Sequence, residues 1–194
     1  MELNPRDNSI KRRSAVHHVS ATITAGNDTY SLQEKALGHL VIRLPEINTE
    51  ARKAIKLVTG LELPSKPLTS VENKHFVINW ISPDEFLLLT ADKIEAGVES
   101  KLREEMSGHF SIADVSGGQT MLVLSGERAE SIIKKSAPYD IHPSNFPVGK
   151  VVTTVFAKSQ VVIRRTGADS FELIIRRSFS DYLWQWIVDA GKRA

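Results

Sequence analysis

Apolar residues recur every three to four positions in four stretches of the chain, the spacing that places them on one face of a helix. The stretches begin near residues 49, 92, 126 and 178. The first two stop at Gly60 and Gly108 and the last stops before Gly191, since glycine commonly ends a helix. The segments Asp92 to Glu95 and Ser178 to Asp181 have the spacing of capping boxes, in which side chains bond to free backbone groups of the first turn. The inward positions are Ala51, Ala54, Ile55, Val58, Ile94, Val98, Leu102, Met106, Ala129, Ile132, Ile133, Leu183, Trp184, Ile187 and Val188. We therefore predict four amphipathic helices.

Between these stretches lie short apolar or alternating runs that are typical of strands. The predicted strands cover residues 39–44, 75–81, 85–90, 109–114, 119–124, 151–158, 160–165 and 170–176. Several are separated only by a turn, of which Ser82 to Asp84 is the clearest, and this indicates hairpins. Few strand–helix–strand repeats have the length of a Rossmann unit. The order predicts an α+β fold, most simply two split βαβ or ferredoxin-like halves that share a core.

The N-terminal 36 residues show no sustained hydrophobic period. They contain a basic patch at Lys11 to Arg13, the pair His17-His18 and a turn signal at Gly26 to Asp28. This pattern predicts an arm over residues 1–36, followed by one α+β domain over residues 37–194. A free flexible tail and an arm that wraps around a partner both fit it.

The hydrophobic content, net charge and cysteine count of the chain exclude several classes of function. With 194 residues, of which 41% are hydrophobic, the chain can bury a substantial core. Its 25 basic and 23 acidic residues give a net charge of +2, which argues against nucleic acid and anionic membranes as partners. Cysteine is absent, which excludes disulfides, thiolate metal sites and a cysteine nucleophile, and suits a reducing compartment. No apolar run approaches the ~18 residues of a membrane span. We expect a cytoplasmic protein.

Two glycine signals lie close together, at Gly117-Gly118 and Ser125-Gly126. Neither has the spacing of a phosphate-binding P-loop or of a dinucleotide fingerprint. We predict that Gly117-Gly118 is a turn between paired strands and that Ser125 caps the following helix. A weak anion site near Gly126 remains an alternative, since helix N-termini attract anions.

Catalytic and metal-binding patterns are missing from the sequence. The six histidines, at positions 17, 18, 39, 75, 109 and 142, never have the i, i+4 spacing that brings two imidazoles to one metal, which favours scattered surface or edge histidines. No Gly-x-Ser-x-Gly elbow exposes a nucleophilic serine. We expect no catalytic, cofactor-binding or metal-binding residues in this chain.

Aromatic residues crowd the last predicted helix. Trp184 and Trp186 lie about 200° apart on a helical wheel, so they cannot face the same core, and Tyr182 lies beside them. One tryptophan is therefore predicted to face outward. It could be an anchor for another protein or lie under the loop of residues 138–150.

A combination of short motifs runs over about 80 residues of the C-terminal half: Asp114 to Ser116, Gln119-Thr120, Ser125-Gly126, Asp140 to His142, Phe146 to Gly149, Arg164, Phe171-Glu172, Arg177-Ser178 and Trp184. An earlier segment, Trp80 with Ser82 to Phe86, belongs to the same combination. With these features the chain resembles the gamma subunit of heterotetrameric sarcosine oxidase.

This resemblance implies a fold similar to the folate-binding domain of the glycine-cleavage aminomethyltransferase, and a non-catalytic role. It implies alpha, beta and delta subunits as partners in a complex that oxidises sarcosine to glycine. The cofactors it implies belong to those partners: the flavins FAD and FMN on beta, NAD and the tetrahydrofolate chamber on alpha, and zinc on delta. For this chain it implies a structural subunit without a cofactor of its own.

The sequence departs from the wider aminomethyltransferase pattern at one point. Those enzymes carry a Gly-Gly-x-x-Asp-Asp signature, and the corresponding residues here are Lys158 to Val161. Gln160 and Val161 cannot act as an ionised carboxylate would. This favours a non-catalytic subunit over the alternative, a free-standing folate-binding one-carbon protein of the same fold.

Overall fold

The computed structural model describes residues 14–16, 22–24, 30–91 and 94–192, which form two antiparallel sheets and four α-helices. In chain order the elements are β1 (Thr22–Thr24), β2 (Ser31–Lys35), β3 (Leu37–Arg43), α1 (Thr49–Thr59), β4 (Ser70–Glu72), β5 (Phe76–Ser82), β6 (Glu85–Ala91), α2 (Glu95–Glu105), β7 (Ser111–Asp114), β8 (Gln119–Ser125), α3 (Ala129–Ser136), β9 (Val151–Phe156), β10 (Ser159–Gly167), β11 (Ser170–Arg176) and α4 (Ser180–Lys192), the last preceded by a 3₁₀ turn at Arg177–Phe179.

Both sheets have the strand order of a ferredoxin-like unit. The five-stranded sheet has the order β4-β5-β6-β3-β7, in which β3-α1-β5-β6-α2-β7 is a complete βαββαβ unit and β4 is an added edge. The six-stranded sheet has the order β1-β2-β8-β11-β10-β9. In this sheet, the segment β8-α3-β10-β11-α4 supplies the first three strands of a second ferredoxin-like unit. Strand β2, which comes earlier in the chain, takes the position of the fourth strand beside β8. The predicted α+β class with two ferredoxin-like halves is confirmed, and the second half is circularly permuted.

The elements stack in four layers. Helices α1 and α2 cover the outer face of the five-stranded sheet, and α3 and α4 cover the outer face of the six-stranded sheet. The two inner faces meet through a third apolar cluster that includes Leu87, Leu89 and Ile174. Strand β6 is apolar at consecutive positions because Leu88 faces the helices while Leu87 and Leu89 face the other sheet. Among the helices of the described residues, none has both the length and the hydropathy to cross a membrane.

Helix α1 follows its sequence signals closely. The side chain of Asn48 accepts a hydrogen bond from the Ala51 amide at 2.8 Å, which caps the first turn. Gly60 has a positive φ of 73°, and its amide donates to the carbonyl of Lys56. The predicted end of this helix at Gly60 is confirmed.

Helix α2 differs from its predicted ends. It ends at Glu105 with Met106 in extended conformation, so the predicted end at Gly108 is wrong. It begins at Glu95 without a side-chain capping bond from Ile94, whereas Asp92 of the predicted capping box lies outside the described residues. Ile94 itself is exposed rather than inward.

Helix α4 also continues beyond its predicted limit. It begins at Ser180 after the 3₁₀ turn, not at Ser178, and it runs through Gly191 to Lys192. Gly191 is buried against Tyr30, and a Cβ atom added to Gly191 would lie 2.5 Å from Tyr30 Cζ. Gly191 therefore serves close packing inside the helix instead of ending it.

Part of the predicted N-terminal arm belongs to the folded core. Ser31–Lys35 forms a strand between β1 and β8, so the interpretation of residues 1–36 as an arm is wrong for this segment. Val16 is 1% exposed and packs into the core under α3 and α4. Arg12, Arg13 and the His17-His18 pair lie outside the described residues.

A carboxylate on β2 holds the segment around Val16 in place. The Glu34 carboxylate accepts hydrogen bonds from the Ala15 amide at 2.9 Å, from the Ser14 hydroxyl and from the Thr120 hydroxyl at 2.6 Å. Partial burial alone would raise the pKa of Glu34, but these hydrogen bonds hold it below its usual value. The described piece of the arm is thus docked on its own chain, so neither a free flexible tail nor an arm that wraps around a partner describes this piece.

Candidate functional site

The turn at Gly117-Gly118 joins the two sheets. It connects β7, which pairs with β3 in one sheet, to β8, which pairs with β2 and β11 in the other. The Gly118 amide donates to the Val115 carbonyl at 2.9 Å, and the Gly118 carbonyl accepts from the Arg177 amide at 2.9 Å. The prediction of a turn is correct, but the prediction that it joins paired strands is wrong. Sequence periodicity identifies both strands but does not tell which sheet each one joins.

The second glycine signal ends a strand rather than capping a helix. Ser125 is the last residue of β8, and α3 begins at Ala129 without a side-chain capping bond, so the prediction that Ser125 caps the helix is wrong. Gly126 has a positive φ of 107°, and its amide donates to the Asp169 carbonyl at 2.8 Å. Because this amide is already bonded, the arrangement does not support the alternative of an anion site at Gly126.

The four histidines that the structure describes are dispersed over the fold. His75, His109 and His142 are exposed, as expected, whereas His39 is 1% exposed on β3, which the sequence did not indicate. Within the described ranges, no group of three histidine, aspartate or glutamate side chains is placed to hold a metal ion.

The segment that corresponds to the aminomethyltransferase acidic signature lies at the turn between β9 and β10. The turn is at Ala157 and Lys158, and β10 then begins with Ser159. Gln160 is exposed, while Val161 is 1% exposed within the core under α3 and α4. This hairpin packs as regular sheet, and Val161 is part of the core.

An ion network centred on the buried Arg164 links the two sheets. Arg164 on β10 faces the layer between the sheets and is 2% exposed. Its Nε donates to Glu172 Oε2 on β11 at 2.9 Å, and its Nη2 donates to Glu72 Oε2 on β4 at 2.9 Å. Burial alone would lower the pKa of Arg164, but the two carboxylates raise it above its usual value. The network therefore holds a permanent cation between the sheets.

This network borders a cleft of about 240 Å³ at one end of the layer between the sheets. The cleft is bounded by the β2–β3 junction, the β4–β5 turn, the end of β6 and the inner faces of β10 and β11. Its lining residues are Lys35, Leu37, Glu72, Asn73, Lys74, His75, Phe76, Val77, Leu89, Thr90, Ala91, Arg164 and Glu172. The cleft combines charged side chains with an apolar wall.

The neighbouring Arg165 points to the opposite face of β10. It is 2% exposed, and its Nη2 donates to Glu130 Oε2 on α3 at 2.6 Å, while its Nη1 donates to the Phe146 carbonyl at 3.3 Å. Its guanidinium lies 4.8 Å from the centre of the Phe171 ring. Partial burial would raise the pKa of Glu130, but Lys134 and Arg165 lower it below its usual value. Arg165 thereby fixes the loop around Phe146 onto α3.

An aromatic surface lies on α4 and the turn before it, and we call Phe179, Tyr182 and Trp186 the α4 surface. Trp184 is 2% exposed in the core, whereas Trp186 is 38% exposed, so the prediction that one tryptophan faces outward is confirmed. Trp186 Nε1 donates to Ser136 Oγ at 3.0 Å, and its ring centre lies 6.1 Å from that of Tyr182. Phe179 is 39% exposed beside them.

Sequence reasoning missed the ion network as a site. Arg164 and Glu172 are among the features of the family resemblance, but no contact between them was predicted. They lie directly opposite one another in the β10–β11 hairpin. Opposite charges at facing positions of two otherwise apolar strands were the available signal. Glu72 lies 92 residues from Arg164 in sequence, so nothing local could have indicated that contact.

Comparisons with known proteins agree with the fold. The family model of the sarcosine oxidase gamma subunit matches residues 47–193. The sarcosine oxidase subunit gamma of Corynebacterium sp. strain P-1 is 30% identical over 186 residues, which cover 92% of this chain and 89% of that relative.

Solved structures give the same result. A chain of the heterotetrameric sarcosine oxidase from Corynebacterium sp. U-96, solved in complex with pyrrole 2-carboxylate, superposes with a TM-score of 0.84 at 28% identity and covers 94% of this chain and 95% of that one. The glycine cleavage system aminomethyltransferase T from Bartonella henselae has a TM-score of 0.63 at 11% identity over 83% of this chain and 46% of that one, which shows a shared fold. The chain belongs to the sarcosine oxidase gamma subunit family.

Proposed function

We propose that this chain is the non-catalytic gamma subunit of a heterotetrameric sarcosine oxidase that oxidatively demethylates sarcosine to glycine. The observation that carries the proposal is the likeness, with a TM-score of 0.84 over 94% of this chain, to a chain of the Corynebacterium complex. This likeness spans nearly the whole fold instead of one motif.

The proposed partners are alpha, beta and delta subunits. FAD and FMN would be held by beta, NAD and tetrahydrofolate by alpha, and zinc by delta. This chain would supply no catalytic, cofactor-binding or metal-binding residue. Arg164 and Arg165, each 2% exposed, form ion pairs inside the fold, which supports a structural role. We place the complex in the cytoplasm, as the lack of cysteine suits a reducing compartment.

The alternative is a free-standing folate-binding one-carbon protein. The shared aminomethyltransferase fold is compatible with this alternative, but at 11% identity the likeness shows the fold alone. The residues Lys158 to Val161, which stand in place of the acidic signature, argue against one-carbon transfer chemistry in this chain.

Co-purification tests the role. The tagged chain, isolated from its native host, should bring down three other subunits and the yellow colour of flavin. The purified chain alone should form no peroxide from sarcosine, with or without added FAD and FMN. Recovery of this chain without partners, or peroxide formation by the chain alone, would refute the proposal, and binding of tetrahydrofolate by the isolated chain at micromolar affinity would favour the alternative.

The α4 surface is the contact that we propose for one of these partners. It presents two large aromatic side chains, Phe179 and Trp186, that are more than a third exposed, and aromatic anchors contribute strongly to protein interfaces. Trp186→Ala should weaken assembly by about 2 kcal/mol, or about 30-fold, while the chain stays folded.

A matched control is available on the opposite helix layer. Leu57 on α1 is 69% exposed, so Leu57→Ala removes an even more exposed apolar side chain at a distance from the α4 surface. Its effect on assembly should be small. Equal weakening by both variants, or no weakening by Trp186→Ala, would show that the α4 surface is not the anchor, and this outcome would leave membership of the complex untouched.

A further inference from the structure

The cleft beside the ion network contains a buried cation with unused hydrogen-bonding capacity. Arg164 bonds through Nε and Nη2, and its Nη1 donates to no group within the described ranges. Within the described chain, Arg165 Nε is fully enclosed and has no hydrogen-bond partner, whereas Arg164 Nη1 is not fully enclosed. Because Arg164 lines the cleft, this Nη1 is accessible from it. A buried guanidinium nitrogen that faces an accessible space is suited to an anionic oxygen.

Two lysines add positive charge at the cleft. Lys35 and Lys74 are exposed lining residues, and neither forms an ion pair with any residue that the structure describes. The two carboxylates of the lining, Glu72 and Glu172, are both bonded to Arg164. The lining thus has three cations against two carboxylates, a net charge of +1, and the uncompensated charge belongs to the lysines.

The remaining wall of the cleft is apolar. Leu37, Phe76, Val77 and Leu89 line it, and Leu89 is 1% exposed. The volume of about 240 Å³ is below the range of about 300–1,000 Å³ that is usual for drug-sized ligands. A nucleotide or a folate is too large for this space, whereas an organic acid with a short hydrocarbon part fits it.

We propose that this cleft binds a small monocarboxylate. The carboxylate would lie between Arg164 Nη1 and the ammonium groups of Lys35 and Lys74, and its hydrocarbon part would contact the wall formed by Leu37 and Leu89. The inference rests on side chains of this chain alone and does not depend on the proposed complex.

Nuclear magnetic resonance titration of the full ¹⁵N-labelled chain tests the proposal. The probe is isobutyrate, added at constant ionic strength, and the uncharged control is isobutyramide, which has the same shape. Isobutyrate should shift the amide signals of residues 73–77 and 90–91 in a saturable manner, with a dissociation constant on the order of 1 mM. Isobutyramide should produce no saturable shift. Equal responses to both compounds, or shifts that never saturate, would overturn the proposal.

Lysine variants locate the binding site. Lys35→Gln and Lys74→Gln change exposed side chains, so folding should be preserved, and each should weaken isobutyrate binding about threefold. Lys53→Gln on α1 and Lys101→Gln on α2 remove equally exposed charges from the other side of the sheet and should have no effect. A loss of affinity that is equal in all four variants would show a non-specific charge effect and contradict the assignment.

A carboxylate could also come from an acidic side chain of a partner protein. In that case the isolated chain would not bind isobutyrate, while Lys35→Glu and Lys74→Glu would reduce co-purification of the partner. This result would overturn the proposal of a small-molecule site. Saturable binding of isobutyrate with unchanged co-purification of both glutamate variants supports it.

Discussion

Two glycines within helices allow one chemical change to be tested in opposite environments. Gly191 lies in α4, where an added Cβ would be 2.5 to 2.6 Å from three atoms of the Tyr30 side chain. Gly97 lies in α2, where an added Cβ has no heavy atom within 4 Å. Alanine is the better helix former at both positions, so any difference between the two variants reports the contact with Tyr30.

The magnitudes follow from the geometry. Gly97→Ala should stabilise the chain by about 0.5 kcal/mol, near the lower end of the alanine advantage because the position is in the first turn. At Gly191 the new methyl group is about 1 Å closer than the usual carbon–carbon contact of ~3.5 Å. Tyr30 is 2% exposed in the core, so overpacking should cost about 1–3 kcal/mol. Because the alanine advantage applies at both positions, the two variants should differ by the overpacking cost of about 1–3 kcal/mol.

Urea denaturation of the purified chain measures both effects, and thermal unfolding should show a Tm about 2–4 °C lower per kcal/mol lost. Tyr30→Leu removes the ring, so the double variant with Gly191→Ala should lose less stability than the sum of the single variants. If Gly191→Ala is stabilised as much as Gly97→Ala, the close contact with Tyr30 does not exist in solution and the explanation of the buried glycine is wrong.

Three further predictions concern buried groups. Trp184→Ala should lower the free energy of unfolding by about 3–5 kcal/mol because it empties a core position, and Trp186→Ala should lower it much less; equal losses in denaturation would mean that both rings are core. Asn79 is fully buried on β5 and both of its side-chain polar atoms lack a hydrogen-bond partner, so Asn79→Leu should raise the free energy of unfolding by about 1 kcal/mol, whereas a decrease would reveal a bound water or another partner. The pKa of Glu34 is lower in the folded chain than its ordinary value of 4.5, so its carboxylate stabilises the fold above about pH 4.5 and this contribution is lost as the pH falls through the folded pKa. Unfolding free energies of the wild type and Glu34→Gln should therefore differ most near pH 7 and converge in acid, and a constant difference would contradict the role of the ionised group.

Glycine shows how far local patterns can predict this structure. At Gly60 the sequence predicts the helix end correctly, because the left-handed conformation of a terminating glycine depends only on its neighbours in the chain. At Gly191 the same residue type lies inside a helix, because Tyr30, which is remote in sequence, occupies the space of a side chain. At Gly117-Gly118 the turn is local and predictable, whereas the change of sheet is not.

Local sequence patterns predict the four helices, most of the strands, the α+β class and the division of Trp184 and Trp186 between core and surface. These follow from periods of 3.6 and 2 residues, which are properties of neighbouring positions. Three features became evident from the folded chain alone: β2 completes the second half, Ser125 ends a strand, and Glu72 reaches Arg164 between the sheets. Strand partners and ion pairs depend on contacts between residues far apart in the chain, and a local hydrophobic period contains no information about which distant segment it will meet.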